Sequence, residues 1–440
     1  MSHKWIILTL LVCSIVVHFT FFGHPNETVF DEVHFGKFIS GYYSGEYYFD
    51  IHPPLGKLMI AGFAKLFDFQ PEFSFTDIGD QFPNEKYMAL RFLPTLAGTV
   101  LPLIIFLLAL ELGLSRVAAF AGALLVIFDN ALLTQSRLIL LDPFLLLFGF
   151  ASLLFYFKYA KNRILNTKYL ILTAIFSGLA ISIKWTGLGF IALPLLIETY
   201  YQSKDYLTNP VNLRTIIRNV LNLAKFASFF IISLTIYFSI FALHFALLPK
   251  PGPGDAFMRP GFRDNHIVKN ILYLNIEMYK SNQRLSASHP HSSKWYTWPL
   301  MTKPVYYWVK DTARIYFLGN PVIWWASAVA IAISIKYLVL SIKKRRLDKV
   351  LTILLAGYAI NMLPFVGVKR VMFLYHYLTA LIFAILILCY LIDKDKNSRK
   401  IFAGITMVAI IAFLFFSPLS YGLSLSDKAY KVRVWFASWR

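Results

Sequence analysis

Adjacent carboxylates at Asp31 and Glu32 open the stretch "FDEVHFGKFISGYYSGEYYFDIHPPLGK", residues 30–57, which follows directly on the first apolar run of the chain. A carboxylate beside a low-dielectric surface can have its proton affinity raised and serve as a general base for a hydroxyl substrate. Acids are also favoured in the first turn of a helix, so capping a surface helix that begins after Pro25 and Asn26 is the competing explanation. At the far end of the stretch, His52 precedes Pro53 and Pro54, and Lys57 falls on the first turn of "LGKLMIAGFAKLF". The proline pair fixes an extended lead-in and permits a helix just after it. A His and a Lys at headgroup level could hold a lipid phosphate; interfacial snorkelling of the lysine explains them equally well.

Charges at the ends of apolar runs are costly and carry more weight. Arg91 stands near the start of one run, Arg137 and Asp142 flank another in "TQSRLILLDPF", and Lys184 interrupts a third in "GLAISIKWTGLGF". Three cations converging at one side would bind an anionic head group. An Arg137–Asp142 ion pair stapling two helices is the structural alternative, whereas Lys184 has no acidic neighbour in sequence. Farther on, "PKPGPGDAFM" promises a rigid turn that brings backbone close to a ligand. In "HPHSSKWYTWPL" the Trp, Tyr and His side chains could stack on a sugar or peptide, or pack at a membrane interface. No metal pattern stands out: His34 follows Asp31 at a helical spacing, but HExxH and DxD are absent.

The elements that must position these groups are membrane helices. Of the 440 residues, 58% are hydrophobic and 15% charged, which excludes an ordinary soluble protein. Apolar runs predict about eleven spans, at 5–22, 88–110, 117–133, 138–157, 168–183, 185–201, 222–247, 321–341, 349–366, 371–391 and 400–417. The net charge of +20 is set by short basic clusters between runs, which topology explains better than nucleic acid does. With a cytoplasmic N-terminus, the basic clusters at 158–168, 204–218, 343–349 and 393–400 fall inside. Residues 23–87, a large loop at 248–320 and the tail at 418–440 then share the outer face. Long loops are usually functional, so the site is expected there. Cys13 and Cys389 sit inside apolar runs and suggest neither a disulfide framework nor a metal site. The first run has the charge and apolar core of a signal sequence but no small-residue cleavage site, and is expected to be retained as a span.

Taken together, "FDEVHFGKFISGYY", "FDIHPPLGKLM", "FDNALLTQSRLILLD", "SIKWTG", "GPGDAFM", "HSSKWYTWPL", "LGNPVIWW", "RVMFLYHYL" and "VWFASWR" resemble the successive motifs of the protein O-mannosyltransferases, in the family's order and over nearly the whole chain. That resemblance implies an all-α polytopic membrane protein of the GT-C glycosyltransferase fold, forming a single membrane domain over residues 1–440. It implies a polyprenyl (dolichyl) phosphate β-mannose donor and Ser or Thr of a translocating polypeptide as acceptor. Asp31 matches the family's catalytic base, Glu32 supports the acceptor site, Lys184 is associated with the lipid phosphate, and Arg91 is among the residues the family depends on. His52, Lys57 and Arg137 are assigned here to the donor phosphate, and Lys294, Trp295 and Arg370 to acceptor or sugar contacts, from their motifs and chemistry. The chain departs from eukaryotic members in its large loop, about seventy residues long and too short for their β-trefoil insertion, as in a short prokaryotic form in the cytoplasmic membrane. No particular cofactor is implied, a divalent cation and a dimer stay open, and no nucleic acid partner is expected.

The implied chemistry accounts for the charges. A Ser or Thr hydroxyl needs a base within hydrogen-bond reach. The lipid phosphate leaves without a protonating acid, given cations to stabilise it. In-line attack turns a β-linked donor into an α-linked product, and a second catalytic carboxylate is unnecessary. Two alternatives remain: a GT-C transferase delivering a lipid-linked sugar to a glycolipid, and a membrane transporter. Against the first stand the large-loop stretches, and against the second the gathering of charge at one face.

Overall fold

The computed structural model describes residues 3–161, 167–208, 213–264, 266–284, 289–344 and 346–440. Parts of the predicted inner loops, 162–166, 209–212 and 345, therefore lie outside the described residues, as does 285–288 of the large loop. In chain order the helices are α1 His3–Phe19, α2 Glu32–Ser44, α3 Leu55–Lys65, α4 Met88–Glu111, α5 Arg116–Ile127, α6 Asn130–Ser136, α7 Asp142–Lys161, α8 Thr167–Ile183, α9 Leu188–Thr208, α10 Leu213–Leu247 and α11 Ile267–Arg284. A hairpin of β1 Val305–Lys310 and β2 Ala313–Phe317 precedes α12 Pro321–Lys343, α13 Lys349–Met362, α14 Leu378–Asp393, α15 Ser398–Tyr421 and α16 Asp427–Lys431.

All the expected spans coincide with helices, but fewer meet the length and apolarity needed to cross a bilayer. Among the described residues seven do, and the pair α5–α6, bent by 59°, makes an eighth if it is one broken span. At 17 residues each, α1 and α8 reach only about 26 Å at the helical rise, short of a ~30 Å hydrocarbon core. The bend has a cause in Asp129, whose carboxylate caps α6 by accepting the Leu132 N–H at 3.0 Å and also accepts Trp324 Nε1–H at 2.8 Å. Ser115, Asn320 and Asp348 cap α5, α12 and α13 in the same way. Within the bundle α7 and α14 are the most enclosed, 67% and 78% buried, whereas α10 and α15 are 22% buried and present apolar side chains outward.

One short hairpin accompanies the helices of this chain. The sequence "VYYWVKDTARIYF" is rich in aromatic and β-branched residues and pairs antiparallel, Val305 with Phe317 and Lys310 with Ala313. Asp311 turns the hairpin at a positive φ of 51°, a conformation aspartate tolerates. This hairpin helps join the polar segments at one end of the bundle. Trp308 Nε1 donates to Glu27, Ala313 bridges to Ser424, and Glu46 bridges to Lys250. At the other end Ser115 binds Asp393, and Lys161 pairs with Glu111 at 2.6 Å.

Candidate active site

The turn into α2 is fixed by a fully buried carboxylate. Glu32 and Arg91 form a bidentate pair, Nε to Oε1 at 2.8 Å and Nη2 to Oε2 at 2.7 Å, with both side chains 0% exposed. Glu32 also accepts the Val29 and Ile139 N–H groups, each at 2.9 Å. The remaining guanidinium N–H groups of Arg91 donate to the Gly23, Pro25 and Glu27 carbonyls at 2.6–2.7 Å. One charge pair thus ties α4, the first connection and the segment before α7 together, and points the preceding residue, Asp31, away from the pair. Asp31 occupies the N-cap position of α2 yet makes no side-chain cap bond, so the capping explanation of this acid does not hold.

Asp31 instead lines a cavity of about 580 Å³. His34 beside it, Asp50 and His52 before α3, Asp142 of α7, Lys184 after α8, and Arg370 and His376 before α14 share that wall, with Leu145, Leu146, Phe365 and Leu378 supplying apolar surface. Among the described residues the Asp31 carboxylate has no hydrogen-bond or ion-pair partner. Burial pushes its pKa up to about 7; Lys184 pulls it down, and Asp142 and Asp50 push it further up. Burial, reinforced by Lys184 and Lys57, holds His52 well below the usual histidine range and so neutral. Lys184 Nζ donates to both oxygens of Asp142 at 2.9 Å and lies 5.7 Å from the Tyr375 ring centre. Asp142 is held in turn by Gln135 at 2.6 Å, and Gln135 by the Tyr307 hydroxyl at 2.7 Å.

Comparison with known proteins identifies the relatives of this arrangement. A family profile described as dolichyl-phosphate-mannose-protein mannosyltransferase matches residues 6–249. The chain belongs to that family. A second profile, the C-terminal four-transmembrane region of protein O-mannosyltransferase, matches residues 267–439. Relatives include dolichyl-phosphate-mannose–protein mannosyltransferase 4 of Candida albicans, 37% identical over 60% of this chain and 36% of its own. Protein O-mannosyl-transferase 2 of Danio rerio is 31% identical over 67% and 40%. The match thus spans well under half the length of those two relatives. Among solved structures, the Saccharomyces cerevisiae protein O-mannosyltransferase Pmt1-Pmt2 complex bound to the sugar donor matches with a TM-score of 0.93 at 20% identity, covering 100% of this chain and 93% of that one. ArnT from Cupriavidus metallidurans gives 0.55 at 17% identity over 96% and 66%. These likenesses show the fold, which is GT-C, and make the chain an integral multi-pass membrane protein.

Within this mannosyltransferase-family chain the expected cations do not all converge. Arg91 and its partner Glu32 are absent from the cavity wall, because every N–H of the guanidinium is already used inside the protein. Arg137 is likewise turned away: its guanidinium donates to the His18, Thr20 and Phe21 carbonyls and lies 4.6 Å from the Tyr421 ring centre. It closes the C-terminal end of α1, and the expected Arg137–Asp142 pair is replaced by Lys184–Asp142. Lys57 is buried against Asp50 and the His52 carbonyl, so it holds the lead-in to α3 rather than facing the cavity. Of the proposed donor-side residues, His52 and Lys184 line the cavity; Arg370 lines both it and a neighbouring groove that holds Lys294 and Trp295.

The glycines of "PGPGDAF" approach the chain itself and not a ligand. A Cβ on Gly252 or Gly254 would stand 2.4 Å from the Tyr47 oxygen or the Tyr48 carbonyl carbon, and the Gly254 N–H bonds to the Tyr47 carbonyl at 3.0 Å. Sequence reasoning passed over Asp50, Gln135, Tyr375 and His376. Asp50, seven residues before Lys57, carried a signal as the one carboxylate near that lysine; Gln135 is a neutral residue in an apolar run and carried none. Among the described residues no cluster of His, Cys, Asp and Glu suits a metal ion.

Proposed function

We propose that the protein transfers mannose, with inversion, from polyprenyl (dolichyl) phosphate β-mannose to Ser or Thr hydroxyls of polypeptides at the outer face of a prokaryotic cytoplasmic membrane. The observation that carries this is Asp31: an unpartnered carboxylate with raised proton affinity, in a cavity that also holds Lys184, Arg370 and an apolar wall. The acceptor hydroxyl gives its proton to Asp31 as its oxygen attacks the anomeric carbon. The bond to the phosphate oxygen breaks on the opposite face, and the lipid phosphate leaves. Lys184 has three donors, and two of them hold Asp142, leaving one for the phosphate oxygen on which charge accumulates. Arg370 supplies a second cation. The naming of the family's relatives and the donor bound in the yeast complex support the same substrates, and that two-chain complex makes assembly with a second subunit a natural extension.

The test supplies purified protein with polyprenyl-phosphate mannose and a Ser/Thr peptide. Mannosyl peptide is expected from wild type, and Asp31→Asn should lower kcat by about 10²–10⁴ with donor binding retained. Full activity in Asp31→Asn would falsify the assignment of the base. No product from wild type, with the donor shown to be intact, removes the proposed reaction itself.

A further inference from the structure

Beside the catalytic cavity lies a second depression, an open groove of about 620 Å³. Its walls come from the "SSKWYT" turn, from Thr302 and Lys303 before β1, and from residues 365–372 between α13 and α14. The two cavities meet at Phe365, Arg370 and Val371, which line both. The walls are fixed to each other: the Ser293 N–H donates to the Met372 carbonyl at 2.9 Å.

Four cations line this groove, Lys294, Lys303, Lys369 and Arg370, and no carboxylate does among the described residues. Among the described residues none of the four makes an ion pair there, and Arg370 has a single side-chain partner, His376: Nη2 lies 3.3 Å from Nε2. A guanidinium only donates, so Nε2 must accept and His376 is neutral in this contact. The ring is clamped between Trp298 and Tyr375, with centres at 5.8 and 4.7 Å and near-parallel planes. Arg370 is thus held at the junction by a neutral partner, its charge left uncompensated.

Topology does not account for these lysines. The outer side of a membrane protein is the side where lysine and arginine are not required for orientation, and on the sidedness proposed above this groove is outside. Trp295 and Tyr296 stand nearly perpendicular, at 85°, and give apolar surface between the charges. An uncompensated cationic groove with aromatic walls, opening into the cavity that holds the base, suits an extended chain bearing negative side chains.

We propose that this groove receives the acceptor polypeptide beside its Ser or Thr and selects acidic side chains there, so that acceptors with Asp or Glu flanking the hydroxyl are preferred. The proposal rests on the transferase function proposed above. It names Lys303 and Lys369, together with Lys294, as specificity determinants, and His376 as the residue that positions Arg370 at the junction with the catalytic cavity.

Three peptides with one Thr, flanked by two Glu, two Gln or two Lys, test it against the purified protein at low and high salt. Surface charge pairs of this kind change affinity modestly, so KM for the Glu peptide should be roughly three- to tenfold below that for the Gln peptide and higher still for Lys. High salt should narrow the spread. In the double variant Lys303→Glu/Lys369→Glu, whose groove balances two cations against two carboxylates, the spread among the three peptides should collapse, a ratio that partial loss of active protein does not alter. Equal KM values for all three in wild type overturn the proposal while leaving the transferase function standing; no transfer to any peptide fails the function itself. A rise in donor KM in the double variant, with peptide order unchanged, assigns the groove to the lipid phosphate and also overturns it.

Discussion

A base whose pKa lies near 7 makes the reaction depend on pH in a definite direction. Below that value Asp31 is protonated and cannot accept the hydroxyl proton. kcat/KM should therefore fall roughly tenfold per pH unit on the acid side and level off above neutrality; a profile from pH 5.5 to 8.5 that stays flat would contradict Asp31 as the base. Its neighbour Glu32 belongs to a different kind of chemistry. Breaking a buried pair by removing one charge costs about 3–5 kcal/mol, so Glu32→Gln should lower the thermal unfolding temperature in detergent far more than Asp31→Asn does. The two acids by themselves look alike, and the resemblance gave Asp31 the proton and Glu32 the acceptor site; a partner 59 residues away claims Glu32 for the fold instead. Lys184 was legible through its position in an apolar run. Its acid partner Asp142 was visible too, but was matched to the nearer Arg137, since sequence proximity says little about which helix faces which.

At the level of elements, the helices were legible because runs of apolar residues leave a chain in a bilayer no other way to satisfy its backbone. Helix α3 was legible in the two prolines that precede it. The hairpin was missed because its strands lie within a loop where aromatic residues suit a membrane interface equally well. The glycine-rich turn was recognised, but its purpose was misassigned, since sequence shows that backbone must come close without showing to what. Gly254→Ala forces a methyl group into the Tyr48 backbone, which cannot step aside as a side chain would. It should destabilise by about 1–3 kcal/mol. Gly62, exposed inside α3 with nothing within 4 Å of a built Cβ, supplies the contrast: Gly62→Ala should leave stability unchanged or raise it by up to ~1 kcal/mol. Equal unfolding temperatures for the two variants would show that the close approach has no energetic weight.

Across the whole molecule, the first connection, the large loop and the tail are bonded to one another at one end of the bundle. The cavity itself was not foreseeable, since it is enclosed by α2, α7, the turn after α8 and the segment before α14, and no single stretch of sequence contains it. Sidedness can be tested with the intact cell. Lys303→Cys should react with a membrane-impermeant maleimide added outside, and Lys396→Cys should react only after the membrane is opened. Labelling of the second from outside would invert the proposed orientation.

Residues 435–439 have a consequence for how the groove keeps its shape. Trp439 is 2% exposed and donates to the Met301 carbonyl at 2.9 Å, Ser438 donates to the Thr302 carbonyl at 2.6 Å, and Trp435 packs on Trp325. They fasten the chain segment that leads from the cationic groove into β1. One wall of the groove is therefore held from behind, by side chains that line neither cavity, and its shape depends on a contact between residues 136 apart in sequence.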